Sequence, residues 1–283
     1  NNKLQHFLNI ENLSKEHINE IIDLADNYIS SNSNKFKDLE GKTIASLFFE
    51  PSTRTKTTFE LASKRLSADF INIDIANSST LKGESILDMI KTLEAMECDM
   101  FIVRHSSSGT PHYIAKEVGD KISIINAGDG IHAHPTQAML DMYTIKKHKG
   151  GFENLNVSIV GDILHSRVAK SLIASLKILS VANINIIGPK NLMPENINEL
   201  GVNYFSNLEE GIKNVDVIIM LRLQQERMKE AFISTEDYYN DYGLTKKKIE
   251  LAKKDVIVMH PGPINRGIEI DSEVADGPNS VIL

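Results

Sequence analysis

Phe48-Phe49-Glu50-Pro51-Ser52-Thr53-Arg54-Thr55-Lys56-Thr57-Thr58-Phe59-Glu60 joins two hydrophobic patterns. An apolar, β-like run over 44–49 stops at Pro51, and a helical period then places Phe59, Ala62 and Leu66 on one face. A strand feeding a helix through a tight connection is the opening of an α/β unit. Ser52, Thr53, Arg54 and Thr55 fall where that helix begins. The first N–H groups of a helix have no intrahelical partner and carry the positive end of its dipole, which suits an anion. Hydroxyls on Ser52, Thr53 and Thr55 add donors, and Arg54 adds a forked cation matched to phosphate oxygens. An ordinary N-cap also selects Ser or Thr, for purely local reasons. On these four residues alone, a phosphate cradle and a plain cap stand level.

Working outward, the same alternation continues. Apolar runs at 70–75, 100–103, 122–125, 157–160, 184–187, 215–221 and 256–259 read as strands. Helical periods lie among them: Ile18, Ile21, Ile22 and Ala25 behind a Ser14 cap, then Ile86, Met89, Ile90, Leu93 and Met96. Further helices run from His134 to about His148 and from about Arg167. This pattern predicts α/β architecture with parallel sheets flanked by helices. At 283 residues the chain is long enough for two domains, which we place at 1–133 and 134–283 with the His134 helix crossing the boundary. The polar stretch 77–84 reads as a loop.

Composition narrows the class. Hydrophobic residues at 41% and charged residues at 24% are those of a soluble globular protein. No apolar run approaches the roughly 20 residues that span a bilayer, and no signal-peptide pattern is present, so no membrane partner is expected. The single cysteine, Cys98, excludes an internal disulfide, fits a reducing, cytoplasmic setting, and is expected to pack beneath the helix ending near Glu97. A net charge of −7 argues against nucleic acid, and means that an anion site must be locally positive. The first residue is Asn1, not Met, which reads as a trimmed chain and leaves a removed targeting segment open.

Most remaining candidates sit at strand ends, where open α/β sheets bind ligands. Arg104 directly follows the 100–103 run; elsewhere such an arginine is often a solvated charge. His132-Ala133-His134 has the look of a metal pair, but i, i+2 spacing does not put both rings on one helical face. No third ligand stands nearby in sequence, so no metal is expected. His134-Pro135-Thr136-Gln137 reads better as a helix start with Pro in its favoured first turn. Val160-Gly161-Asp162 invites a dinucleotide reading, which fails because 161–167 lacks the later glycines. Arg222 and Gln224 follow the 215–221 run, with Arg227 just beyond, and His260-Pro261-Gly262-Pro263-Ile264-Asn265-Arg266 follows the last strand.

Taken together these motifs resemble the aspartate/ornithine carbamoyltransferases over nearly the whole chain. The resemblance implies two α/β domains with the active site in the cleft between them. It implies that Ser52, Thr53, Arg54 and Thr55 hold the phosphate of carbamoyl phosphate, and that Arg104 binds both phosphate and carbonyl oxygen. His134 would donate to that carbonyl, Gln137 would hold the carbamoyl amide, and backbone carbonyls of the Gly262-Pro263 loop would accept its hydrogens. A cis peptide is implied at Gly262-Pro263. Arg167 would take the α-carboxylate of L-aspartate, and Arg222 with Gln224 its side-chain carboxylate. Glu50, Arg167 and Arg227 match residues that pair on domain closure. Lys82 and an upstream hydroxyl match residues that reach the neighbouring subunit of a homotrimer; spacing selects Ser78, while Ser79 and Thr80 are equal donors. Arg54, Thr55, Lys82, Arg104 and His134 form the expected catalytic set, with no cofactor.

The implied reaction is carbamoyl transfer to the α-amine of L-aspartate, a step of pyrimidine synthesis. Ornithine is the rival acceptor, but the ornithine enzymes' His-Cys-Leu-Pro loop and Ser-Met-Gly segment are absent. A catalytically inactive scaffold is the other rival, and would be expected to have lost these site residues. The family's final helix back to the first domain reads as truncated at Leu283, and docking of a regulatory or pathway-enzyme partner stays open.

Overall fold

The computed structural model describes residues 4–73, 75, 84–224 and 233–283. The chain folds as two compact units, Asn1–Thr136 and Gln137–Leu283. In the first, α1 (Lys15–Ser30) starts at a capping box: Ser14 Oγ accepts from His17 N, and His17 Nδ1 accepts from Ser14 N. Then come β1 (Thr43–Phe48), α2 (Thr53–Arg65), β2 (Asp69–Ile73), α3 (Ile86–Ala95), β3 (Met100–His105), α4 (Thr110–Glu117) and β4 (Ser123–Asp129). The four strands are parallel in the order β2-β1-β3-β4. Alternate residues feed the two faces. Ala45, Leu47, Phe101 and Val103 pack with Met89, Ile90, Leu93 and Cys98, whereas Ile44, Phe48 and Ile102 pack with Phe59. Cys98 is therefore the core residue expected.

Two helix faces need correction. On α2 the buried position is Ser63 beside Phe59, and Ala62 is exposed. Met96, expected on the inner face of α3, caps that helix and is 68% exposed. The sequence also gave little sign of α4, a short helix behind a left-handed Gly109 (φ 93) with Pro111 in its first turn.

α5 (Pro135–Lys149) carries the chain into the second unit. There β5 (Asn156–Val160), α6 (Arg167–Ile178), β6 (Asn183–Ile187), β7 (Asn203–Phe205), α7 (Leu208–Gly211), β8 (Val217–Met220), α8 (Thr235–Tyr242) and β9 (Ile257–Met259) follow. Their sheet is parallel, ordered β7-β6-β5-β8-β9. β8 is buried at every position, as a strand covered on both faces must be. β7 went unforeseen because Asn203-Tyr204-Phe205 is too short to show a period.

Strand order decides where ligands bind. In each sheet the chain runs outward from one central strand, first to one side and then to the other. The reversal opens a crevice at the carboxyl ends of the two strands between which it occurs. In the first unit those strands are β1 and β3, with Phe48 paired to Arg104. In the second they are β5 and β8, with Val160 paired to Met220.

Candidate active site

The connection after β1 delivers Glu50, Pro51 and Ser52 to the first crevice, and α2 begins at Thr53. Ser52 occupies the N-cap with extended backbone (φ −161°, ψ 91°), yet its side chain makes no capping hydrogen bond. A plain cap would have consumed the hydroxyl on the helix's own N–H groups. Here the helix start stays available to an anion, with Arg54 exposed on its first turn.

Arg104 comes from the neighbouring strand end and is held on several sides. Its Nε donates to Glu50 Oε1 at 2.6 Å, and its Nη1 donates to Thr55 Oγ1 at 3.3 Å and Ala127 O at 3.4 Å. Its side chain is only 13% exposed and that of Glu50 22%. A half-buried, multiply bonded guanidinium is fixed in direction before any ligand arrives. The sequence reading assigned Glu50 to domain closure; its grip on Arg104 within the first unit is an addition that only the fold reveals. Ser52, Thr53, Arg54, Thr55 and Arg104 are thus gathered at one switch point. Beside them, burial pushes the His105 imidazole below its ordinary pKa, and its ring packs on Phe49.

β4 leads through a tight turn to His134, which is buried, and to α5 with Pro135 at its first position. In the first turn of α5, Gln137 Nε2 donates to Asp141 Oδ1 at 3.1 Å. Asp141 is 4% exposed, and its Oδ2 meets no partner among the described residues. Burial raises its pKa from 3.8 to about 7, against a smaller opposing effect of Gln137. Sequence reading missed Asp141; its i, i+4 spacing from Gln137 was the available signal.

In the second unit, Gly161 (φ 136°) turns the chain out of β5, where an added Cβ would meet Leu221 Cβ at 2.9 Å. Asp162 accepts from His165 N at 3.0 Å, and Ser166 Oγ accepts from Ala169 N at 3.1 Å, so Arg167 opens α6 on a capped start. After β8, Leu221 and Leu223 are buried while Arg222 and Gln224 are exposed, the period-2 pattern of an extended segment. Arg167 and Arg222 therefore follow the two strands that flank the second switch point.

The loop after β9 is tied to the same segment, since Asn265 Nδ2 donates to Leu223 O at 3.0 Å. Its anchor is Glu269, fully buried, whose Oε1 accepts from Asn265 N at 2.7 Å and lies 2.9 Å from His260 Nε2. Because His260 Nδ1 accepts from Gly262 N at 2.7 Å, Nε2 carries the ring proton and donates to Glu269. The Gly262–Pro263 peptide is cis, as the motif implied. Glu269 has no motif to betray it. Ser78, Lys82 and Arg227 lie outside the described residues, and of the metal-like pair His132 joins two other ligand-type side chains, His112 and Asp129, in one cluster.

A parallel α/β chain with an arginine-bearing helix start at one switch point and two arginines following the strands of the other has the charge pattern that polyanionic small molecules require. Sequence-family models make the class specific. That described as "Aspartate/ornithine carbamoyltransferase, carbamoyl-P binding domain" matches residues 5–147, and that described as "Aspartate/ornithine carbamoyltransferase, Asp/Orn binding domain" matches 153–283. The chain belongs to the aspartate/ornithine carbamoyltransferase family. Among solved structures it is similar to aspartate transcarbamoylase from Trypanosoma cruzi in complex with N-(phosphonacetyl)-L-aspartic acid, with a TM-score of 0.88, 29% identity, and coverage of 98% of this chain and 90% of that one. The same enzyme with carbamoyl aspartate and phosphate gives 0.87 and 30%, covering 98% and 90%. With carbamoyl phosphate and aspartate it gives 0.87 and 29%, covering 98% and 91%.

Proposed function

We propose that this chain transfers the carbamoyl group of carbamoyl phosphate to the α-amine of L-aspartate, giving N-carbamoyl-L-aspartate and phosphate. The observation that carries the choice of acceptor is the pair of arginines, Arg167 after β5 and Arg222 after β8, at the second unit's switch point. Two carboxylates call for two cations, whereas the side-chain ammonium of ornithine would be repelled by the second. The ligands named for the Trypanosoma cruzi structures, carbamoyl phosphate, aspartate, carbamoyl aspartate and phosphate, support the same reading.

The chemistry follows from the residues. Ser52, Thr53, Arg54, Thr55 and Arg104 bind the phosphate, and Arg104 and His134 donate to the carbonyl oxygen as it gains negative charge. Gln137 and the carbonyls of the 260–266 loop orient the carbamoyl amide, while Arg167, Arg222 and Gln224 direct the neutral α-amine at the carbonyl carbon. A tetrahedral intermediate collapses with loss of phosphate, whose dianion is a fitting acceptor for the amine proton. Positioning and charge stabilisation carry the reaction, so the proposal uses no cofactor. It extends to a cytoplasmic homotrimer whose sites are completed by Ser78 and Lys82 of a neighbouring subunit, and to Glu50, Arg167 and Arg227 pairing on closure. The domains of that enzyme are 1–133 for carbamoyl phosphate and 134–283 for aspartate.

The test is Arg222→Ala. Aspartate KM is expected to rise and kcat to fall together, since a misdirected amine loses orientation, with the KM for carbamoyl phosphate little changed. An unchanged aspartate KM would remove Arg222 from the site.

A further inference from the structure

Beside the His132-Ala133-His134 motif, three side chains converge in the first unit. Asp129 ends β4, His132 lies on the turn that follows, and His112 lies on the first turn of α4. One donor atom from each lies within 4.8 Å of the others. His132 Nδ1 is 2.9 Å from Asp129 Oδ2, and His112 Nδ1 is 3.8 Å from the same oxygen. The two rings meet edge to face at 5.6 Å between centroids.

We propose that His112, Asp129 and His132 form a binding site for a divalent transition-metal ion of the zinc class. Metal–ligand distances of about 2.0–2.1 Å place neighbouring ligand atoms about 3.3 Å apart in a tetrahedron. The observed 2.9 and 3.8 Å bracket that edge, so an ion needs shifts of only a few tenths of an ångström at these two contacts. Two imidazoles and one carboxylate are a donor set that suits Zn²⁺ and its neighbours. The histidine side chains are 30% and 46% exposed, which leaves an entry path and a fourth position open to water.

The site is also built from behind. Asp129 is fully buried, and its other oxygen, Oδ1, accepts from Gly109 N at 2.7 Å, so the carboxylate is oriented by the start of α4. The turn bearing His132 is closed by Asp129 N donating to Ala133 O at 3.0 Å and His132 N donating to Asp129 O at 2.8 Å. Gly130 (φ 50) packs so tightly there that an added Cβ would lie 2.2 Å from Ser108 Oγ. The sequence reading dismissed a metal for want of a third ligand beside His132-Ala133-His134. His112, twenty positions upstream of His132, and Asp129 supply what it lacked, and His134 takes no part. The inference is independent of the carbamoyl-transfer reading.

The experiment uses the full chain, stripped with a chelator and dialysed. Titration with ZnCl₂, followed by calorimetry, should show about one saturable site per chain, and CoCl₂ should give the intense visible bands of a tetrahedral ion. His112→Asn and His132→Asn should each weaken Zn²⁺ binding by about 100-fold or more, and the exposed His148→Asn should leave it unchanged. No saturable binding by the wild type, or binding indifferent to both substitutions, would overturn the site. Should either variant fail to fold, the wild-type Co²⁺ spectrum decides alone: weak octahedral bands contradict the proposal.

Discussion

Arg104 and Gln137 illustrate how a candidate site residue is oriented by its neighbours, some inside the motifs and some outside them. Arg104 owes its direction to Glu50, Thr55 and Ala127. Gln137 is bonded to Asp141, whose folded-state pKa of about 7 lies above its ordinary 3.8 because burial disfavours the charge. A raised acid favours the folded state only while it is protonated. Through this group, stability is therefore full below about pH 4 and declines as pH rises toward 7, by at most about 1.4 kcal/mol per unit. Asp141→Asn keeps an oxygen for Gln137 and cannot ionise. Its stability relative to wild type should rise between pH 4 and 7, measured by denaturant unfolding at each pH. Parallel profiles for the two proteins would show that Asp141 stays ionised when folded. The positions of Arg54, Arg104 and Gln137 at strand and helix ends were legible in the sequence, because local patterns mark those ends. Asp129, Asp141 and Glu269 were not, since an isolated acidic residue gives no sign of being buried.

At the scale of elements, the 260–266 loop depends on one buried carboxylate. Glu269 accepts from both His260 and the Asn265 backbone, tying the loop's first residue to its far end. Glu269→Ala would strand the buried His260 donor and the half-buried Asn265 N–H, and cost roughly 2–4 kcal/mol. We expect a lowered Tm together with a raised aspartate KM; a Tm within error of wild type would show that the loop is anchored elsewhere. The strands bordering both switch points could be read from the sequence, because buried parallel strands write continuous apolar runs. Short elements escaped: α4 rests on a glycine and a proline and β7 on three residues, below the length at which periodicity speaks. Where a helix face was misjudged, as at Ala62, a small residue was read as core because its spacing fitted, though Ser63 proved to be the buried one.

At the scale of the whole molecule, the two units share one design, a parallel sheet whose strand order reverses once, at β1/β3 in the first and at β5/β8 in the second; the proposed function assigns phosphate to the first and the two carboxylates to the second. Strand order was not legible, because apolar runs do not say which strand lies beside which. The proposed trimer with shared sites has a direct consequence. Arg54→Ala and Lys82→Ala trimers should each be nearly inactive, and mixing them after dissociation should restore activity. In a closed ring with random equal mixing, about three-quarters of trimers are mixed and each regains one intact site, so about one-quarter of all sites recover. No recovery, with mixed trimers confirmed by native mass spectrometry, would mean self-contained sites. Acceptor choice rests on Arg167 and Arg222, and a product assay tests it most directly. Supplied with carbamoyl phosphate and either L-aspartate or L-ornithine, the chain should release phosphate and N-carbamoyl-L-aspartate with the first and far less product with the second. Faster turnover of ornithine than of aspartate, or none with either, would contradict the account.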